Sequence, residues 1–92
     1  MTTLHMEVEV ARSTQQTMDQ SYQEMAASLQ KMQSAVNNLR GGAWQGNSAN
    51  EFFAQYDQLH SQLKNLCDQL MQLSTRLQGE VVEWETAASK LG

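Results

Sequence analysis

A chain of 92 residues and 10.4 kDa has room for one domain and buries only a modest share of its surface, so help from outside the chain is expected. Ten acidic residues against six basic ones give a net charge of -4 with no lysine or arginine run, which argues against nucleic-acid binding. The one cysteine, Cys67, excludes an internal disulfide, and no stretch approaches the ~18 apolar residues of a membrane span.

Residues 1–8 read as an extended or frayed arm. Leu4, Met6, Val8 and Val10 alternate with polar residues, but nothing else in the chain offers a strand to pair with. The same stretch lacks the basic and then continuously apolar layout of a cleavable secretory signal. A helix is predicted over about 10–40, starting anywhere from Glu9 to Thr14. Its apolar positions step by three and four through Met18, Tyr22, Met25, Leu29, Met32, Val36 and Leu39, which lays one stripe along the helix. Gln15 interrupts the stripe. It reads either as a buried amide that fixes register or as a solvated residue beyond a frayed start, and the second reading is favoured. Met18, Met25 and Met32 recur every seven residues, and core filling explains them better than a deformable surface for several partners.

Residues 41–47 form the corner, in the only stretch with turn chemistry, Arg40 to Ser48. Arg40 complements the dipole of a helix ending there, and Gly41 is expected to take the left-handed conformation that closes it. Ser48 stands three residues before Glu51, the spacing of a capping box for the next helix. That second helix is predicted over about 48–85, with a stripe through Phe52, Tyr56, Leu59, Leu63, Leu66, Leu70, Leu73 and Leu77. Beyond it the stripe drifts through Val81, Trp84 and Ala88, so a bend or fraying is expected near Gly79 and a frayed tail over 86–92.

The fold class that follows is all-α: an antiparallel helix-turn-helix hairpin in one domain, dimerising into an elongated four-helix bundle. Two helices alone leave the outer flanks of both stripes wet, a patch larger than soluble monomers expose, and Ser21, Ala26, Ser28 and Ala35 let another helix approach closely. Sparse charge beside the stripes permits self-pairing, so a homodimer is favoured over a heterodimer with a second hairpin. Catalysis finds no foothold: neither helix carries a Glu-x-x-His pair, and no glycine-rich loop opens a helix after a strand. His60 and Cys67 lie on one helical face as two metal donors without a third, so both read as a solvated flank and no metal is expected. No cofactor and no small-molecule substrate are expected.

Trp44-Gln45-Gly46, midway between two heptad helices in a chain of about this length, resembles the Trp-Xaa-Gly family of small type VII secretion proteins, the ESAT-like helical hairpins. Ala43, Ser48, Ala49 and Phe52 around the triplet fit the same pattern. The resemblance implies a non-enzymatic substrate, made in the bacterial cytoplasm and exported without a cleavable signal peptide as a folded dimer by a membrane-bound secretion ATPase. It also implies a recognition surface built from the corner, with Trp44 and Gly46, and the partner's tail. Trp44 has a bland role beside that one, covering the helix ends, and Gly46 is expected where ring and helix leave no room for a Cβ. Family tails carry a tyrosine, three residues and an acid, whereas this chain has Trp84 and then Ala88. Either a partner supplies the signal, a C-terminal extension has been lost, or export is not the role. The rival readings are an escort of a co-secreted partner, a cytosolic adaptor or chaperone for a larger secreted protein, and a purely structural coiled-coil module.

Overall fold

A computed structural model describes residues 6–90. Helix α1 runs Val8–Asn38, a π-helical turn follows at Leu39–Ala43, and helix α2 runs Asn47–Ser89. Among the described residues there is no strand, and the architecture is an all-α helical hairpin. Of the predicted arm, residues 1–5 lie outside the described residues, as do residues 91 and 92 of the tail.

Contacts divide the hairpin into two compact units, one joining the start of α1 to the end of α2 and the other, Gln23–Asp68, containing the corner. In the corner unit Val36 of α1 packs with Ala49, Phe53 and Tyr56 of α2, and Leu29 and Cys67 are buried further along. In the other unit Ser74 and Val81 are buried. There Gln15 Nε2 donates to Ser74 Oγ at 3.2 Å, and Arg12 pairs with Glu85. Contacts of early α1 with late α2, and of late α1 with early α2, make the pair antiparallel.

Several expectations need correction. Gln15 is half-buried and holds Ser74, so the favoured solvated reading fails: the helix starts at Val8 and Gln15 lies two turns inside it. Cys67 is 3% exposed, so the solvated-flank reading of the His60 and Cys67 pair fails as well. The chain stays helical through Gly79 and on to Ser89, past the end at about 85 expected for the second helix. A mid-helix glycine costs about 1 kcal/mol. Packing of Leu77, Val81 and Trp84 on either side of it, each buried or half-buried, offsets that.

Candidate functional site

The corner is built on backbone geometry that only glycine adopts comfortably. Gly42 has φ 129° and Gly46 φ 116°, whereas Gly41, expected to be the left-handed residue, has no positive φ. Gly42 kinks the chain out of the π turn, and Trp44 follows in extended conformation, its amide donating to the Leu39 carbonyl at 3.1 Å. A Cβ at Gly46 would meet nothing within 4 Å, so the expected crowding by ring and helix is absent and the glycine answers to φ alone. Helix α2 starts at Asn47, with the Asn50 amide on the Gly46 carbonyl at 3.0 Å. Ser48 therefore lies within the first turn and not at the cap position the capping box requires.

Three aromatic rings meet at this point. Trp44 lies 5.4 Å from Phe52 and 5.9 Å from Phe53 between ring centroids, and Phe52 and Phe53 lie 5.8 Å apart. Phe53 is buried, while Trp44 and Phe52 keep more than a third of their surface in solvent, so the cluster has a fixed inner ring and an open outer edge. Arg40 braces it, with its guanidinium 5.0 Å from the Phe53 centroid and 2.6 Å from Asp57 Oδ1. The hydrogen bond to Asp57 raises the Arg40 pKa above its ordinary value.

The predicted stripe residues separate into three groups. Leu29, Val36 and Tyr56 are buried, and Met18, Tyr22, Leu63, Leu70 and Leu77 are half-buried. Met25, Met32, Leu39, Phe52, Leu59, Leu66 and Leu73 are exposed, with Leu59, Leu66 and Leu73 at 51%, 54% and 55%. Helix α2 carries two overlapping repeats. The inner one runs Ala49, Phe53, Tyr56, His60, Leu63, Cys67, Leu70, Ser74, Leu77, Val81, Trp84, and every member is buried or half-buried. The outer one adds Phe52, Leu59, Leu66 and Leu73, each one residue before an inner position and so on one flank of it. Phe53, His60, Cys67 and Ser74 of the inner repeat lie outside the predicted stripe, although their three-and-four spacing is present in the sequence.

On α1, Met18, Met25, Met32 and Leu39 each stand three residues after a seam position, Gln15, Tyr22, Leu29 and Val36. Met18 and Leu73 line one open groove with Leu77, Arg76 and Glu80, which places the two apolar flanks on the same side there. The ion pairs Arg12–Glu85 and Arg40–Asp57 use the opposite flank: Asp57 and Glu85 each follow a seam position, Tyr56 and Trp84, by one residue. In each unit one flank carries the exposed apolar rows, with Arg76 and Glu80 beside Met18 and Leu73 in one of them, and the other flank carries an ion pair.

Among the described residues, no group of three or more His, Cys, Asp or Glu could hold a metal ion, and no helix is long and apolar enough to cross a membrane. The comparison with protein families matches residues 3–89 to WXG100, described as proteins of 100 residues with WXG. The chain belongs to the WXG100 family. Comparison with curated proteins and with solved structures finds no match. WXG100 proteins are small, non-enzymatic helical proteins associated with type VII secretion, and members typically pair with partners. In this WXG100 chain the signature triplet is Trp44-Gln45-Gly46, with the tryptophan in the three-ring cluster and the glycine at positive φ.

Proposed function

We propose that this chain is a small type VII secretion substrate, made in the bacterial cytoplasm and exported as a folded homodimer without a cleavable signal peptide. The observation that carries the reading is a continuous row of exposed apolar side chains, Met25, Met32 and Leu39 on the first helix and Phe52, Leu59, Leu66 and Leu73 on the second, against isolated exposure of Val10, Met71 and Val82 elsewhere. A flank of that kind is unfavourable in water and is stabilised by a partner. A second copy is the fitting occupant. The positions bordering the apolar rows are small on α1, at Ser21, Ser28 and Ala35, and on α2 they are Gln55, Gln62, Gln69 and Arg76, the last with Glu80 of opposite sign in the same groove, so like copies meet with little repulsion. Pairing of two hairpins through these flanks gives a four-helix bundle.

In this reading Trp44 and Gly46 present the recognition surface to a membrane-bound secretion ATPase, with Arg40 and Phe53 holding the indole in place. The tail supports a second reading. Trp84 is half-buried and Ala88 stands where the family acid is expected, so a heterodimeric hairpin that brings its own tail signal would make this chain its escort. Export from a type VII-competent bacterium separates these roles. Trp44→Ala is expected to keep the dimer and abolish recovery outside the cell. Leu59→Glu with Leu66→Glu is expected to lose both. Export of the wild-type chain only when a second hairpin is co-expressed replaces the homodimer with the escort role. Retention in the cytosol under every condition leaves the adaptor reading.

A further inference from the structure

The apolar flank of α1 differs from that of α2 in one chemical respect. Where α2 places leucine at Leu59, Leu66 and Leu73, α1 places methionine at Met18, Met25 and Met32. Met25 and Met32 are 36% and 42% exposed in the single chain, and Met18 is half-buried in the groove with Leu73. Core filling does not account for thioethers left in solvent. Resting on the reading that this flank receives a second copy, we propose that Met18, Met25 and Met32 form an oxidation-sensitive row that releases the dimer when peroxide-class oxidants convert it to sulfoxide.

The chemistry is a two-electron oxygen transfer. A thioether lone pair attacks one oxygen of hydrogen peroxide, and the O–O bond breaks as the S–O bond forms. The departing hydroxide takes the proton from the transferred oxygen and leaves as water, so sulfur is oxidised and peroxide reduced. The product is a polar, strongly hydrogen-bond-accepting group in place of an apolar one. In water it is fully solvated, whereas packing against the leucines of the flank strips away that solvation, so the associated state loses and the separated state does not. Spacing multiplies the effect, because the three sulfurs lie on consecutive heptads of the same flank. Met71 is the internal control. It is 39% exposed, comparable to the others, but follows Leu70 by one residue and so lies on the flank of Asp57 and Glu85.

The test treats the whole chain with hydrogen peroxide, maps sulfoxides by peptide mass, and measures self-association by sedimentation alongside helicity by circular dichroism. The expected result is that oxidation at Met25 and Met32 weakens association by about tenfold or more per buried sulfoxide while helicity persists. Oxidation of these two is also expected to be slower at concentrations where the chain is associated, with Met71 equally reactive at all concentrations. The variant carrying Met18→Leu, Met25→Leu and Met32→Leu, which keeps Met71, is expected to associate normally and to ignore peroxide. Undiminished association of fully oxidised wild-type chain overturns the proposal, as does loss of association in the oxidised leucine variant. A chain that is monomeric before any oxidant is added overturns both the proposal and the homodimer on which it rests, and the untreated sample shows which has failed.

Discussion

At Tyr56, packing and hydrogen bonding pull in opposite directions. The ring is buried in the Val36, Ala49 and Phe53 cluster and lies tilted 5.8 Å from the His60 ring, but its hydroxyl is buried without a hydrogen-bond partner among the described residues. Tyr56→Phe keeps the ring and removes the orphan group, so the chain is expected to gain about 1 kcal/mol of unfolding free energy, read from the urea midpoint. A loss would mean that the phenol is satisfied in solution. Gln15 and Ser74 are the opposite case, a polar pair that satisfies itself across the seam, with Ser74 Oγ also donating to the Gln15 carbonyl at 3.5 Å. A double-mutant cycle on Gln15→Ala and Ser74→Ala is expected to return a coupling of about 1 kcal/mol, and additive effects would deny the bond a role in register. The corner glycines separate by conformation. Gly46→Ala is expected to cost about 1–3 kcal/mol because of its positive φ. Gly41→Ala, with open space and no positive φ, is expected to be neutral or stabilising by up to about 1 kcal/mol. Equal losses at both positions would assign the corner to crowding instead.

At the scale of the elements, the two helices and their connection were legible in the sequence, because three-and-four spacing and a glycine-rich break are local signals. Which face of α2 meets α1 was not. The outer repeat through Leu59, Leu66 and Leu73 is the more hydrophobic one, so hydropathy alone selects it for the seam. The structure instead uses the inner repeat with His60, Cys67 and Ser74, which tolerates polar groups because Gln15 reaches Ser74. The helix boundaries shifted for a related reason: tertiary packing of Val8, Ala11, Val81 and Trp84 carries helix past residues whose propensity is weak. The corner triplet was found by its position, but the brace formed by Arg40, Asp57 and Phe53 has no motif spacing and came only from the fold.

At the scale of the whole molecule, exposed leucines and methionines along both helices make a chain that is folded in outline but unfinished in burial. Leu66→Glu places a charge in the middle of the apolar flank, 54% exposed in the single chain, so it is expected to cost the hairpin little and the assembly much. Circular dichroism that stays helical while the sedimenting mass halves would locate the interface on this flank. Stability is expected to rise with protomer concentration, because association and folding are coupled. The most direct measurement is sedimentation equilibrium of the untreated wild-type chain across micromolar concentrations. The account predicts a mass converging on twice the 10.4 kDa of one chain. A fully helical, cooperatively folded species that holds the single-chain mass throughout would contradict it.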